Sequence, residues 1–150
     1  MVKIDRINKR ILQELRSNGR LSNTELADRV GLSASACLRR VQELEKANVI
    51  SGYRAIINTN AIGQGFTTYV SVGLNEHSLA SQHAFEQALM YVEEVKECHN
   101  VTGTFEYLLR VETADIQAYK AFHGDVLGSI PQVRTITSHV VMASPKDERK

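Results

Sequence analysis

The sequence predicts an α+β protein in which a helix-turn-helix domain precedes a ferredoxin-like βαββαβ domain. Apolar residues recur every three or four positions through the first fifty residues, and strand and helix patterns alternate after residue 65. At 150 residues, the chain is long enough for two small modules. We expect a helix-turn-helix domain with a strand linker over residues 1–60 and a second domain over residues 61–150.

The composition is that of a globular protein rather than of a membrane-spanning or disulfide-rich one. Hydrophobic residues make up 43% and charged residues 23% of the chain, the balance of an ordinary globular protein. No run approaches the roughly 20 apolar residues of a membrane span, and the charged N-terminus does not resemble a signal peptide. Two distant cysteines, Cys37 and Cys98, do not make a disulfide framework. We therefore expect a cytoplasmic protein without a membrane partner.

The charge is divided unevenly along the chain. Residues 1–60 contain eleven Lys and Arg against six Asp and Glu, whereas residues 61–150 contain seven against eleven. A basic front half and an acidic back half favour two modules, the first of which faces a polyanion such as nucleic acid. A solvated basic surface would produce the same count of charges, so the charge distribution alone does not show that the first module binds nucleic acid.

Three helices are predicted in the first domain. The apolar residues that share one face of the first are Ile4, Ile7, Ile11 and Leu15. Ser22 and Glu25 have the spacing of a capping box, which opens a second helix. Gly31 then allows a sharp turn, and Ser33 can cap a third helix that runs to about Lys46. The predicted inward residues of the second and third helices are Leu26, Ala27, Val30, Cys37 or Leu38, Val41 and Leu44.

The rest of the chain alternates between strand and helix patterns. Residues 49–57 are β-branched and aromatic and predict a strand, and residues 58–65 have the composition of a domain boundary. In chain order we then expect a strand at 70–74, a helix at 85–92, strands at 95–101 and 107–111, a helix that opens at Asp115 and closes before Pro131, and a strand at 133–142. Residues predicted to face inward from the last helix include Ile116, Tyr119 and Phe122.

The third helix is the candidate DNA-binding element. Its first turns offer small side chains, which allow close approach to the groove floor, followed by Arg39 and Arg40, which can reach phosphates or guanine. The predicted DNA-binding residues are Ser22, Asn23, Ser33, Ser35, Ala36, Arg39 and Arg40. One of the two arginines is expected to bind phosphate, and the sequence does not say which. A solvated helix without a partner is the alternative.

These patterns resemble one family in detail. The runs over residues 4–27 and 30–45 are similar to the start of Lrp/AsnC-type (feast/famine) transcriptional regulators. Residues 49–55, the Ile62-Gly63 pair and residues 101–111 continue the resemblance in the same order. It covers about residues 4–143, which is nearly the whole chain.

The resemblance implies a winged or strand-extended helix-turn-helix that binds double-stranded DNA, and a C-terminal RAM domain that forms dimers, assembles further to an octamer and binds an amino acid. It implies that the strand near residues 50–57 pairs with its counterpart in a partner subunit. Recognition helices of a dimer would then reach half-sites roughly 34 Å apart. The effector is expected between dimers, and the positions implied are Thr102, Gly103, Thr104, Phe105, Glu106, Tyr107 and Ser138.

The chemistry of that turn suits an amino acid. The amides around Gly103 can bind a carboxylate, and Glu106 can accept from an ammonium group. Alternatively, Gly103 only makes the turn and Glu106 lies in solvent. Two positions depart from the family pattern: Thr104 replaces the usual acid after the turn glycine, which puts the usual effector in doubt, and Asn48 replaces a glycine before the wing. Asparagine tolerates the left-handed conformation, so we expect the fold to persist.

Catalysis and metal sensing are not expected. The five histidines are dispersed, and no zinc-protease, nucleophile-elbow, phosphate-loop or dinucleotide motif occurs. Cys98 and His99 are adjacent on a predicted strand and would point to opposite faces, which is poor geometry for a shared ion. The prediction is therefore a sequence-specific DNA-binding transcriptional regulator that responds to an amino acid and needs no cofactor. An effector-independent architectural DNA-binding protein of the same fold is the alternative.

Overall fold

The computed structural model describes residues 3–147, which form two compact units that divide between Ala55 and Ile56. The helices of the first unit are α1 (Arg6–Ser17), α2 (Asn23–Val30) and α3 (Ala34–Lys46). The second unit contains, in order, a 3-10 turn (Thr59–Ile62), β1 (Phe66–Leu74), α4 (Leu79–Leu89), β2 (Val95–Asn100), β3 (Tyr107–Thr113), α5 (Ile116–Ala121) and β4 (Val133–Val140). The predicted α+β class is confirmed. None of the described helices is long and apolar enough to cross a membrane.

Side-chain caps begin the first three helices. Asp5 Oδ1 accepts from the N–H of Asn8 at 2.8 Å and starts α1. The capping box of α2 is confirmed, because Ser22 Oγ accepts from the N–H of Glu25 at 3.2 Å and Glu25 Oε2 accepts from the N–H of Ser22 at 2.9 Å. Ser33 Oγ caps α3. Each cap satisfies a backbone donor that the helix leaves free.

Two residues of the first unit adopt the left-handed conformation. Gly31 ends α2 at φ 73° and donates its N–H to the carbonyl oxygens of Ala27 and Asp28. A Cβ at Gly31 would meet no atom within 4 Å, so conformation rather than space favours glycine there. Asn48 has φ 55°, and no other described residue except glycine has a positive φ. The conformation expected of Asn48 is therefore confirmed.

A small apolar core holds the first unit together. Its fully buried members are Ile11, Leu26, Ala27, Val30, Cys37 and Leu44. Between the two predicted alternatives on α3, the core contains Cys37, while Leu38 is 46% exposed. The prediction that Ile4 shares the buried face of α1 is wrong, because α1 begins after Asp5 and Ile4 lies outside it at 39% exposure.

Polar contacts join α1 to both of its neighbours. Arg40 Nη1 of α3 donates to Asp5 Oδ2 at 2.8 Å and to Asn8 Oδ1 at 3.1 Å. Asn8 is buried, and its Nδ2 donates to the carbonyl oxygen of Lys3. On the other side, Arg29 of α2 donates to Glu14 of α1 at 3.1 Å. The first turn of α1 is therefore held directly against α3.

The second unit is an antiparallel sheet in the order β2-β3-β1-β4, which is the ferredoxin-like topology that was predicted. Apolar residues of α4 and α5 pack with one face of the sheet in a single core. A π turn (Phe122–Val126) and a 3-10 turn (Leu127–Ser129) extend α5. The members of this core are Val70, Val72, Leu74, Phe85, Leu89, Tyr107, Leu109, Val111, Tyr119, Phe122, Leu127 and Ile130.

Two predictions about these elements are not met within the single chain. Residues 49–58 contain no strand in the described chain, and residues 51–58 are exposed. β-branched residues favour extended backbone, but a strand also needs a neighbour to satisfy its N–H and C=O groups. Ile116 was predicted to face inward from α5 and is 58% exposed, because it stands at the first position of that helix.

Replacing Gly31 with alanine is expected to destabilise the first unit by about 1–2 kcal/mol, the cost of a Cβ in the left-handed conformation. Gly31→Asn is expected to cost less. Urea unfolding followed by circular dichroism measures both. Gly19→Ala is the matched control, because a Cβ at Gly19 would meet Tyr53 only at an ordinary 3.5 Å. Equal losses in Gly31→Ala and Gly19→Ala would contradict the conformational explanation.

The free energy of unfolding is expected to depend on pH through Asp5. Hydrogen bonds from the Asn8 N–H and then from Arg40 hold the pKa of Asp5 below its ordinary 3.8. The resulting stabilisation is complete above pH 3.8 and is lost as the pH falls through the lowered folded value. Asp5→Asn should therefore lower stability at neutral pH, with the difference from wild type shrinking as the pH falls below 3.8.

Urea titrations at several pH values measure that difference. Asp28→Asn, which removes an exposed carboxylate from the same unit, is the control. A difference between wild type and Asp5→Asn that stays constant with pH would show that the Asp5 carboxylate is not responsible.

Candidate DNA-binding and effector sites

The exposed side of α3 carries most of the predicted DNA-binding residues. Ser33, Ser35 and Arg39 are exposed and Ala36 is half-buried. Ser33 Oγ caps the helix and lies 3.3 Å from Ser35 Oγ. Ser35 and Arg39 are four residues apart and so lie on the same helical face. Small side chains and one cation therefore share an open surface at the start of α3.

The two arginines of α3 have different surroundings. Arg39 is exposed and makes no hydrogen bond or ion pair to another residue between positions 3 and 147. The side chain of Arg40 is only 26% exposed and is held by Asp5 and Asn8. Arg39 therefore has a guanidinium available to a ligand, whereas the guanidinium of Arg40 joins two helices of its own domain.

The predicted residues of α2 already have partners within the protein. Ser22 belongs to the capping box with Glu25. Asn23 is half-buried, and its Nδ2 donates to the carbonyl oxygen of Ala34 at 2.7 Å. This bond ties the beginning of α2 to the beginning of α3. Leu38 was predicted only as an alternative to Cys37 in the core and not as a DNA-binding residue. It follows Ser35 by three residues and exposes an apolar side chain that could contact a thymine methyl group.

The turn between β2 and β3 is open to solvent. Thr102, Gly103 and Thr104 are exposed, and Phe105 is half-buried. Gly103 has φ 134° with no atom within 4 Å of a Cβ position, so conformation again favours glycine. The N–H of Val101 donates to the carbonyl oxygen of Glu106 at 2.9 Å and closes the turn.

Glu106 does not lie free in solvent. Its Oε2 accepts from the N–H of Leu74 at 2.7 Å, its Oε1 lies 2.8 Å from His77 Nδ1, and its side chain is 14% exposed. The N–H of Glu106 also donates to the carbonyl oxygen of Val72 at 3.1 Å. The carboxylate therefore clamps the turn to the end of β1. His77 therefore contacts the carboxylate of Glu106, although it was not predicted from the sequence as a site residue.

A close approach between β1 and β4 lies beside the same carboxylate. A Cβ added to Gly73 would lie 2.4 Å from Thr135 Oγ1 and 3.8 Å from Glu106 Oε2. Glycine inside a strand can mark such an approach, so the position of Gly73 was the available sequence signal. The absence of a side chain at Gly73 therefore leaves room for Thr135 of β4 beside Glu106.

The structure does not bring Tyr107 and Ser138 into the turn. The side chain of Tyr107 is buried in the core, where its OH donates to Glu86 Oε1 at 2.7 Å. Burial, followed by the hydrogen bond to Glu86, raises the pKa of Tyr107 to about 12. Ser138 pairs with Val70 in the sheet, and its Oγ lies 2.5 Å from the OH of Tyr119. Within one chain these two side chains therefore face the helices.

Two family descriptions match successive parts of the chain. Residues 4–51 match a winged helix-turn-helix DNA-binding domain, and residues 67–150 match the Lrp/AsnC ligand binding domain. The leucine-responsive regulatory protein of Escherichia coli K12 is 38% identical over 147 residues, which cover 98% of this chain and 90% of that protein. The protein of the same name from Klebsiella pneumoniae has the same identity and coverage.

Solved structures agree with the sequence relatives. A transcriptional regulator of Neisseria meningitidis in complex with L-methionine has a TM-score of 0.92 at 32% identity, covering 97% of this chain and 94% of that one. A feast or famine regulatory protein from M. tuberculosis, also complexed with L-methionine, has a TM-score of 0.86 at 31% identity, covering 99% and 98% of the two chains.

These matches confirm the resemblance inferred from the sequence. The relatives are regulators of transcription and not enzymes, and the two matched domains supply DNA binding and ligand binding in the predicted order. The chain belongs to the Lrp/AsnC family of transcriptional regulators.

Proposed function

We propose that the first half of α3 enters the major groove of an operator. In this arrangement Ser33, Ser35 and Ala36 lie against base edges, and Arg39 binds a phosphate or a guanine. The observation that carries the proposal is the exposed Arg39 guanidinium, which has no partner among the described residues and follows a run of small side chains. Ser22 and Asn23 contribute by fixing the beginning of α2 against α3.

Arg40 has a positioning role in this proposal. Its bonds to Asp5 and Asn8 orient α3 on α1, so that Arg39 and the small residues face outward together. Removing the Arg40 side chain would leave Asp5 without its charged partner and would loosen the recognition helix. Loss of Arg39, in contrast, would remove a direct contact with the polyanion.

The effector in this proposal is an amino acid with an apolar side chain, bound at the turn of residues 102–106. Gly103 and Thr104 are exposed residues, and backbone amides in such a turn suit a carboxylate. Glu106 supports the site by clamping the turn to β1. The apolar class is supported by relatives named leucine-responsive and by two structural relatives in complex with L-methionine. In this proposal Tyr107 supports the turn from the hydrophobic core. The binding of the effector by Ser138 stays a prediction.

Assembly of several chains completes the proposed regulator. The linker exposes large apolar side chains, with Tyr53, Ile56 and Ile57 all more than half exposed. Together with the exposed backbone of residues 51–58, this supports pairing of the linker with a second copy of the chain. We propose a cytoplasmic dimer that assembles further, to an octamer as in the family, and whose arrangement shifts when the effector binds.

Arg39→Ala and Arg40→Ala are expected to weaken DNA binding in different ways. Loss of one phosphate contact at Arg39 should reduce the slope of log K against log salt by about 0.9 per bound protomer, with no loss of thermal stability. Arg40→Ala should lower both affinity and melting temperature and leave that slope unchanged. Fluorescence anisotropy with a selected operator, together with thermal unfolding, measures these quantities.

Lys120→Ala, which removes an exposed cation from the second unit, is the control for the net charge. A reduced slope without destabilisation in Arg40→Ala would place Arg40 on the DNA and contradict its positioning role.

A thermal-shift screen of the full chain against the twenty amino acids should identify an apolar effector. A ligand at a hundred times its Kd stabilises a protein by about 2.7 kcal/mol, which such a screen resolves. Glu106→Ala should abolish the shift because the clamp to Leu74 is lost. Glu106→Gln should preserve it, because the glutamine carbonyl can still accept from the Leu74 N–H.

Retained binding in Glu106→Ala would contradict the location of the site. Loss of binding in Glu106→Gln, with the fold intact, would instead assign Glu106 to the ammonium group of the ligand. A screen in which no amino acid raises the melting temperature would favour the effector-independent architectural protein.

A further inference from the structure

The outward face of α1 carries a row of cations. Its basic residues are Arg6, Lys9, Arg10 and Arg16, and all four are exposed. At 3.6 residues per turn these positions fall within about one third of the helix circumference. We call this surface the α1 basic face. Arg6, Lys9 and Arg10 form no ion pair with any other residue between positions 3 and 147.

The acids of α1 do not pair with Arg6, Lys9 or Arg10 of this face. The two acidic residues of α1 and its cap are Asp5 and Glu14. Asp5 is paired with Arg40 at 2.8 Å, and Glu14 is paired with Arg29 at 3.1 Å. Both carboxylates are therefore engaged by cations of α3 and α2, so the outward charge of α1 stays positive.

This distribution of charge opposes the stability of the helix. Asp5 caps α1, but the first turn itself contains Arg6 and no acidic residue, although the N-terminus of a helix favours negative charge. Arg6 and Arg10 are also like charges at positions i and i+4, a spacing at which they repel. Solvation alone does not explain this arrangement of cations, whereas binding of a polyanion would offset its unfavourable charge repulsion.

The α1 basic face lies close to the proposed recognition helix. The bonds from Arg40 to Asp5 and Asn8 hold the first turn of α1 against α3. Lys9 follows Asp5 by four residues and therefore projects from the same side of α1, one turn further along. The side chain of Lys9 can thus extend towards a duplex whose major groove holds α3, and Arg6 and Arg10 follow at about 60° and 100° further round the helix.

We propose that the α1 basic face is a second, sequence-independent phosphate-binding surface for the DNA that flanks the bases contacted by α3. This inference rests on the proposed role of α3 in DNA binding. Contacts of this type add affinity without selecting a base sequence, and they lengthen the segment of duplex that one protomer covers.

The test compares the full chain with the triple variant Arg6→Gln, Lys9→Gln, Arg10→Gln. Both bind a duplex selected with the wild type and a scrambled duplex of equal length, from about 50 to 200 mM KCl, followed by fluorescence anisotropy. The matched control removes three exposed cations of the second unit, Lys96→Gln, Lys120→Gln, Arg134→Gln, with the same change in net charge.

The triple variant should reduce the slope of log K against log salt by about 2 to 3 per protomer. Affinity for the selected and scrambled duplexes should fall by the same factor, so that their ratio is preserved. The control should retain the wild-type slope. Without DNA, the triple variant should melt at or above the wild-type temperature, because repelling charges have been removed.

A triple-variant slope equal to that of the wild type or of the control would overturn the inference. So would a lowered melting temperature without DNA, because the cations would then serve the fold. A wild-type chain that binds neither duplex would refute the proposed function itself, which is a different result from an unchanged slope.

Discussion

The ion pair between Arg40 and Asp5 is the contact on which the geometry of the DNA-binding unit depends. One carboxylate begins α1 by capping it, lies against buried Asn8, and holds the middle of α3 through Arg40. The same ion pair engages the carboxylate of Asp5, which would otherwise have offset part of the positive charge of α1. The orientation of α3 and the positive outward face of α1 thus have a common origin, because the carboxylate that binds Arg40 does not pair with the cations of α1.

Glu106 has an equivalent place in the second unit. It joins the turn before β3 to the end of β1 through the Leu74 N–H and also meets His77. Gly73 keeps space for Thr135 beside this carboxylate. Glu106 was predicted from the sequence to be available for ligand binding, and it instead holds the turn to β1. Exposed groups remain in both units: the residues of the turn at Thr102, Gly103 and Thr104, and the cation of Arg39.

Local chemistry explains why many elements were predictable. The capping box of Ser22 and Glu25, the left-handed Gly31 and Asn48, and the cap at Asp115 depend on residues no more than a few positions apart. The strand order of the second unit followed from the succession of patterns, because few topologies connect them. Residues 49–57 do not form the predicted strand within the described chain. Their composition favours extended backbone, but a strand also needs a neighbouring strand as its hydrogen-bonding partner.

The sequence by itself therefore determined the α+β class, the helix caps at Ser22, Ser33 and Asp115, and the family. It could not distinguish Arg39 from Arg40, because identical side chains differ only in what lies beside them, and Asp5 is 35 residues away from Arg40. It could not place Tyr107 in the core or join Glu106 to Leu74, which is 32 residues distant. Tertiary structure decided these roles, because hydrogen bonding and burial depend on distances in space that helical and strand periodicity do not contain.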